Sequence, residues 1–446
     1  MNAIDFSRYA IVILLIGVSF LPIRYALMCL ILLSLFDASG PGFASASGVG
    51  ILNAFKVLGA PSILILRLKL APLKGLLRGY GRSLIVIFTF LTTYAVVATF
   101  WSGWKISALK MIGYLVGYIL WFSVFVFAWR RGYISRQILI VIIWVTLFLA
   151  VLQSYILDPV FGIYQFESQR FTAFVSPQYF SAFLVVLLAL VLMGFPRMYL
   201  NIKSITMIVL VSIGVVLSGS RYGLLSLFGV IVCFAFANIR YSGSALRMMV
   251  ATYVMFFLII VIGLLHSFLG YSLNFAWLQG LRVAEIRYLF EDPAQIGTLA
   301  WRIGMYHETV NEILSSGPWY IVFGHGTSSG ANVALKMFPL RYDPNTIDAN
   351  RVIHNEFLRA WYEWGIFGLG LLCVFTLFLI VVAIRKAKRG DFLLLSVLPV
   401  IILSLTIENI LAGSGSSWAT GVLLVLSRIY EYKKRNGAYQ AYALGS

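Results

Sequence analysis

The chain of 446 residues is 61% hydrophobic and only 11% charged, and its formal net charge is +18. This composition excludes an ordinary water-soluble protein and indicates a chain that uses lipid as its solvent. Such a basic balance would suggest a nucleic-acid partner in a soluble protein. Here most of the positive charge follows a membrane-topology pattern, so no nucleic-acid partner is expected.

Long apolar runs recur along the chain and predict transmembrane helices. Runs at 11–20, 83–101, 106–129, 137–157 and 248–265 approach or reach the roughly 20 residues that a helix needs to cross the hydrocarbon core. The first run is expected to be retained as an anchor, since no small-residue cleavage site follows it. The cysteines fall inside apolar runs without metal-ligand spacing, so neither a disulfide nor a zinc site is expected.

Short basic connections alternate with connections that are poor in Lys and Arg, as the positive-inside rule describes. If the basic connections are cytoplasmic, the rule predicts about 12 spans with both termini in the cytoplasm, or about 13 if the stretch around Pro22 is a hairpin. The basic positions are Arg8, then Arg67, Lys69, Lys74, Arg78 and Arg82, then Arg130, Arg131 and Arg136, then Arg197 and Lys203, then Arg240 and Arg247, then Arg385, Lys386, Lys388 and Arg389, and then Arg428, Lys433, Lys434 and Arg435.

One connection, residues 269–353, is much longer than the others. Connections longer than roughly 12 to 15 residues are usually functional or disordered, and this one contains a helix-like stretch and a Gly-His-Gly turn. We therefore expect it to form a helical cap on the outer face. The predicted organisation is an N-terminal transmembrane bundle of about nine spans at 1–268, a large periplasmic loop with the cap at 269–353, three C-terminal spans at 354–430 and a cytoplasmic tail at 431–446.

Four basic side chains are expected on the outer face, which the positive-inside rule depletes of positive charge. Arg170 and Arg221 each precede or begin an apolar run, Arg302 lies in the long connection, and His354 opens the next helix. Guanidinium groups match phosphate oxygens with paired hydrogen bonds, which favours a diphosphate site. The alternative for each arginine is simple contact with lipid headgroups, and for His354 an ordinary interfacial histidine.

A neutral imidazole can accept a proton, so His354 is a candidate general base for an attacking hydroxyl. The sequence has no Gly-rich phosphate loop, no His-Glu-x-x-His and no Asp-x-Asp pair. Arginines rather than a metal ion are therefore expected to neutralise a diphosphate, and no metal or cofactor is predicted.

The run His354-Asn355-Glu356-Phe357-Leu358, followed by Glu363-x-Gly365-x-x-Gly368, resembles the O-antigen ligase and polymerase superfamily of bacterial membrane glycosyltransferases. Supporting features are Ser220-Arg221, Trp301-Arg302 before a helix, Gly324-His325-Gly326, and Arg170 before an apolar run. After Arg170, related chains often have Pro-Asn where this chain has Ser176-Pro177-Gln178, so the resemblance is weaker there.

The resemblance implies an all-α integral membrane protein of the GT-C type. It also implies metal-independent transfer of an undecaprenyl-diphosphate-linked glycan to a sugar hydroxyl, at the periplasmic face of the bacterial inner membrane. In this interpretation His354 activates the acceptor, Arg221 and Arg302 hold the diphosphate, and Arg170 assists donor binding. Asn355 is a further substrate-binding candidate. The implied partners are the oligosaccharide donor, a glycan or lipid A core acceptor, membrane lipids and a chain-length regulator.

Several functions stay open at this point. Within the family, a polymerase of O-antigen or exopolysaccharide is slightly favoured over an O-antigen ligase that attaches the glycan to lipid A core. A transporter of lipid-linked sugars is the alternative from another class, although no internal repeat typical of transporters is visible. A purely structural membrane protein is disfavoured by the polar groups expected at one membrane face.

Overall fold

The computed structural model describes residues 16–35, 55–74, 80–157, 171–173, 176–195, 202–239, 297–337, 353–407, 417 and 419–429. These ranges contain helices and no strand. The helices are α1 Ile23–Leu33, α2 Ala60–Arg67 (after a π-helical turn, Phe55–Gly59), α3 Ala71–Lys74, α4 Tyr80–Thr99, α5 Lys105–Arg130, α6 Arg136–Leu152 (followed by a π-helical turn, Gln153–Leu157), α7 Pro177–Met193, α8 Ile202–Leu217, α9 Arg221–Ile239, α10 Gly297–Ser315, α11 Pro318–Phe323, α12 Ala331–Met337, α13 Glu356–Ala387, α14 Leu393–Ile407 and α15 Ala419–Ile429.

Within the described ranges, three helices are long and apolar enough to cross a membrane: α5, α6 with its continuation, and α13. Shorter apolar helices of 10–17 residues lie beside them. The prediction of an all-helical, multi-pass membrane protein is therefore confirmed. The count of 12 spans, the GT-C likeness and the domain boundaries remain predictions, and the run at 248–265 lies outside the described residues.

Helix α7 occupies the centre of the bundle. All of its residues except Gln178 are buried, and it packs against α6, α8, α9 and α14. A helix that is apolar on every side is stable only when other helices surround it or lipid covers it. The sequence of α7 has no polar face, and the structure encloses it with other helices.

Helix α13 is two helices joined at a break. Gly365 has φ 63° and ψ −161°, which separates an amphipathic first part from the apolar part that follows. This region of backbone space is open essentially to glycine alone. The break changes the chain direction just before the apolar stretch, so the first two turns of α13 can pack against the cap helices α10 and α11.

The cap helices α10 and α12 share a small apolar core with α13, formed by Met305, Ile313, Val333, Ala334, Ile353 and Tyr362. The cap also binds the short connection between α4 and α5. The indole of Trp101 donates to the carbonyl of Gly324 at 3.1 Å, and the hydroxyl of Ser102 donates to the carbonyl of Thr327 at 2.6 Å. Both segments are predicted on the outer side, and the structure brings them together at one end of the bundle.

Candidate functional site

His354 stands immediately before the helix that Asn355 caps. The side-chain oxygen of Asn355 accepts from the backbone N–H groups of Phe357 at 3.0 Å and Leu358 at 3.1 Å. An N-cap of this kind satisfies donors that the first helical turn leaves unpaired. The cap fixes His354 relative to α13. The predicted substrate-binding role of Asn355 remains a prediction, and its side-chain oxygen already has this structural role.

Tyr306 connects the cap helix α10 to His354. Its hydroxyl donates to the backbone carbonyl of His354 and lies 3.4 Å from the carbonyl oxygen of Thr406, near the end of α14. Arg302 precedes Tyr306 by one helical turn and is half-buried. Residues four apart lie on the same face of a helix. Arg302 therefore lies on the face of α10 that is turned toward His354 and the end of α14.

The start of α9 meets the same part of α14. Arg221 is the first residue of α9, and the hydroxyl of the adjacent Tyr222 donates to the carbonyl of Val400 at 3.0 Å and shares a hydrogen bond with Ser404. Ser404 and Thr406 are two residues apart, about 3 Å along the helix axis and on different faces of the helix. The last turns of α14 thus contact elements that bear all three of the candidate residues Arg221, Arg302 and His354. Arg170 lies outside the described residues.

The turn that leads into α9 explains why the chain places Arg221 there. Gly219 has φ 64°, a conformation that favours glycine, and the hydroxyl of Ser220 accepts from the N–H of Gly223 at 3.0 Å. This is an N-cap bond, which starts the helix at Arg221. The Ser220-Arg221 pair singled out in the sequence is therefore a cap followed by the first helical residue.

A buried ion cluster next to His354 was missed by the sequence analysis. Arg359 donates to Glu356 through Nε at 2.8 Å, and its Nη1 lies 3.5 Å from a carboxylate oxygen of Glu363. All three side chains are at most 2% exposed. The three charged residues are spaced three and four positions apart, on one helix face, in a segment that is otherwise apolar. This spacing in the sequence could have indicated the ion cluster.

This ion cluster holds the first part of α13 against a membrane span. Arg359 Nη1 also reaches the sulfur of Met111 in α5 at 3.7 Å, and the guanidinium lies 5.8 Å from the ring centroid of Trp364. A buried charge must be paired to persist. The pairing therefore fixes which face of α13 turns inward, and with it the direction in which the chain leaves His354.

The Gly-His-Gly turn docks directly on the break in α13. The N–H groups of His325 and Gly326 each donate at 2.9 Å to the carbonyls of Tyr362 and Glu363. A Cβ atom at Gly324, which has φ 80°, would lie 2.3 Å from the carbonyl oxygen of Glu363. A Cβ atom at Gly365 would be 2.1 Å from a carbonyl oxygen in α11. The two glycine motifs noted in the sequence form one joint in which backbone packs on backbone.

His325 itself is held by this joint. Its ring stacks between Tyr320 and Tyr362, with ring centroids 4.5 and 4.4 Å apart, and its Nε2 lies 2.9 Å from the hydroxyl of Ser316. Burial lowers the pKa of His325, and the carboxylate of Glu312 opposes this shift in part. A histidine packed on both faces contributes to the packing of the cap, and the role of His354 as general base stays a prediction.

Within the part of the chain that the structure describes, no three His, Cys, Asp or Glu side chains come together as a metal ion would need. The predicted basic site residues Arg221, Arg302 and His354 belong to, or directly precede, α9, α10 and α13, which meet around the last turns of α14. These features define the class of protein: an all-helical, multi-pass membrane protein whose helical cap is docked over one end of its spans.

Comparison with known families identifies the class more closely. Residues 206–373 match the family model described as O-Antigen ligase, which confirms the predicted resemblance to the O-antigen ligase and polymerase superfamily for this part of the chain. The matched segment contains Arg221, Arg302, His354 and Asn355, and it begins after Arg170. No curated protein matches the chain.

Proposed function

We propose that the protein is a membrane glycosyltransferase that moves an undecaprenyl-diphosphate-linked glycan to a sugar hydroxyl at the periplasmic face of the inner membrane. Polymerisation of O-antigen or exopolysaccharide repeat units is the slightly favoured form of this reaction. The match to an O-Antigen ligase family model supports transfer of a lipid-linked glycan in general.

One observation carries the proposal. The end of α14 is hydrogen-bonded to Tyr222, which adjoins Arg221, and to Tyr306, which lies one turn from Arg302 and also bonds to the backbone of His354. Elements far apart in the sequence thus meet at one end of the bundle, which supports a common site for the candidate base and the candidate anion-binding groups that these elements bear. A lipid diphosphate presents its phosphates at the membrane surface, and that is the level at which such a site would meet it.

The proposed reaction needs a general base for the acceptor hydroxyl and cationic groups that stabilise the leaving diphosphate. The acceptor hydroxyl oxygen bonds to the anomeric carbon of the donor glycan while the bond from that carbon to the diphosphate oxygen breaks. The hydroxyl proton passes to the imidazole of His354, and the electron pair of the broken bond stays on the lipid diphosphate. Arg221 and Arg302 stabilise that developing charge, and Arg170 assists in donor binding. Guanidinium forks suit this role because they bind two phosphate oxygens at once.

A ligase is the second candidate, and the name of the matched family, O-Antigen ligase, favours it. The two reactions share a donor and differ in the acceptor, which is a glycan on the lipid carrier for the polymerase and lipid A core for the ligase. A chain-length regulator is a further partner proposed for the polymerase alone. The site elements described above suit both reactions, because they concern the donor diphosphate and the acceptor proton.

Purified protein in lipid nanodiscs tests the proposal directly. The lipid-diphosphate repeat unit is supplied alone, or together with a lipid A core acceptor, and products are separated by size. Lengthening of the repeat unit alone supports a polymerase. Failure to lengthen it, combined with transfer to lipid A core, would refute the polymerase and support the ligase.

Variants connect the activity to the site. His354→Ala should lower the transfer rate by about 10²- to 10⁴-fold, the usual contribution of a positioned general base. Arg302→Ala should lower it by about 10²- to 10³-fold, as for loss of one group that stabilises developing negative charge. His307→Ala serves as the matched control, because His307 is an exposed histidine on the same cap helix. Unchanged transfer by the His354 and Arg302 variants would contradict the proposed roles.

The transporter alternative predicts a different result. Proteoliposomes that translocate a lipid-linked sugar equally well with wild-type protein and with His354→Ala, and that show no glycosyl transfer, would support transport over catalysis.

A further inference from the structure

An exposed aromatic patch joins the cap to the bilayer-facing side of the spans. This aromatic patch consists of Trp319, Tyr320 and Phe323 of α11 with Ile366 and Phe367 of α13. Trp319 is 57% exposed, Tyr320 45%, Ile366 52% and Phe367 53%. Ring centroids of Trp319 and Phe323 are 4.2 Å apart, and those of Phe323 and Phe367 are 5.7 Å apart. The patch is therefore one connected surface.

The aromatic patch continues into a surface that faces lipid. Tyr94 of α4 contacts Phe367 with ring centroids 6.2 Å apart, and further along α4 Phe90 is 61% exposed and Val97 43% exposed. Exposed apolar side chains on a helix of a membrane bundle are covered by lipid chains. Since the ring contact between Tyr94 and Phe367 joins the patch to that surface, the same solvent is expected to cover both.

The contact between α11 and α4 shows how far α11 lies from the end of α4. The hydroxyl of Tyr94 donates to the carbonyl of Phe323 at 3.3 Å, and Tyr94 lies five residues before the last residue of α4, Thr99. At 1.5 Å per residue, this places the end of α11 about 7.5 Å below the outer end of α4. Interfacial helices bury their apolar side by roughly 5–10 Å at the boundary between headgroups and acyl chains.

The composition of α11 fits this depth. The six residues Pro318–Phe323 contain no charge, and its most exposed aromatic side chains are a Trp and a Tyr. These are the two residue types enriched at membrane–water interfaces, where an apolar ring and one polar group both find partners. A short uncharged helix of this kind would expose apolar rings to water. The polar groups of its exposed Trp and Tyr would lack partners in the deep hydrocarbon core.

We propose that α11 is an interfacial anchor, which inserts the aromatic patch between the lipid headgroups of the outer leaflet and holds the cap on the bilayer. The inference does not depend on the proposed function. The turn directly after α11 is docked on the break in α13. The anchor therefore fixes the height of the whole cap, including α10 with Arg302, relative to the lipid surface.

Site-directed spin labelling tests the anchor. Cys29, Cys233 and Cys373 are first replaced by serine or alanine, and single labels are attached through Trp319→Cys, Phe367→Cys, Phe90→Cys or His307→Cys. The labelled full chain is reconstituted in vesicles of phosphatidylethanolamine and phosphatidylglycerol. Collision rates with oxygen, which concentrates in lipid, and with a nickel chelate, which stays in water, give the depth of each label. Phe90 is the lipid reference and the exposed His307 is the water reference.

The expected ratio of oxygen to nickel collisions falls in the order 90, 367, 319 and 307, with position 319 clearly above the water reference. A ratio at 319 equal to that at 307 would overturn the proposal, since α11 would then stand in water. Low collision rates with both reagents at 319 would also overturn it, because another protein surface would then cover the patch. The label at 367 keeps the test informative if the 319 variant folds poorly.

Discussion

Replacing Arg359 with methionine should strongly destabilise the protein, because it removes the only cation within the buried ion cluster. Glu356 and Glu363 are 0% and 1% exposed, and neither carboxylate can turn to water without moving α13. Methionine keeps much of the volume and still fits against Met111 of α5. The change therefore tests the charge pairing more than the packing.

The expected magnitude follows from the burial. Removing one partner of a buried ion pair typically costs about 3–5 kcal/mol, because the remaining charge has lost its compensation. The double variant Glu356→Gln/Arg359→Met removes the carboxylate with the closest contact as well. Residues in direct contact show coupling free energies of about 0.5–3 kcal/mol, so the double variant should recover a measurable part of the loss.

The free energy of unfolding is measured by denaturant titration in mixed micelles. The matched control is Arg385→Met, which alters an exposed arginine on the same helix and should stay within about 0.5 kcal/mol of wild type. The reasoning is refuted if Arg359→Met is as stable as the control. It is also refuted if the double variant is no more stable than Arg359→Met alone, since the loss would then come from packing.

Two further predictions concern the joint between the cap and α13. Gly365→Ala should separate the cap from α13, because the backbone conformation costs a non-glycine residue about 1–3 kcal/mol and the new Cβ would lie 2.1 Å from a carbonyl oxygen. Limited proteolysis of the cap should therefore become faster. The control Gly370→Ala should not differ from wild type, because nothing lies within 4 Å of its Cβ. Since burial lowers the pKa of His325, its folded form favours the neutral ring, so stability should fall as pH drops below about 6.5, the ordinary histidine value, and level off below the lowered pKa. His325→Phe should reduce this pH dependence of the melting temperature, and an unchanged profile would show that His325 does not cause it.

The sequence was sufficient for the class of protein. Apolar runs of span length have no stable form in lipid other than helices or closed barrels, so composition predicts the helical membrane class. The positive-inside rule assigned the segments around Arg221, Arg302 and His354 to one side without any coordinates. The structure places α9, α10 and the start of α13 around the end of α14, while a common site and its side of the membrane stay predictions.

The internal contacts of the site could not be predicted in the same way. Hydropathy reports which side of the membrane a connection lies on, but it does not report which helix faces which. Two such contacts depend on the three-dimensional path of the chain. They are the contact of Arg359 with Met111 and the docking of Gly324 on the backbone of Glu363. A glycine motif in the sequence indicates that another segment approaches the backbone closely at that point. Only the fold identifies which segment this is.

The end of α14 favours contacts with other elements because its last carbonyl groups need hydrogen-bond donors. The last four carbonyls of a helix have no partner within the helix, and Thr406 belongs to this group. Near lipid, an unsatisfied carbonyl costs several kcal/mol, so a donor from another element is strongly favoured there. The hydroxyl of Tyr306 lies 3.4 Å from the Thr406 carbonyl and shares its one hydrogen between this carbonyl and that of His354, to which its contact is shorter. This one hydroxyl therefore connects the helix of Arg302, the end of α14 and the backbone of the candidate base, which links the stability of the fold to the geometry of the proposed reaction.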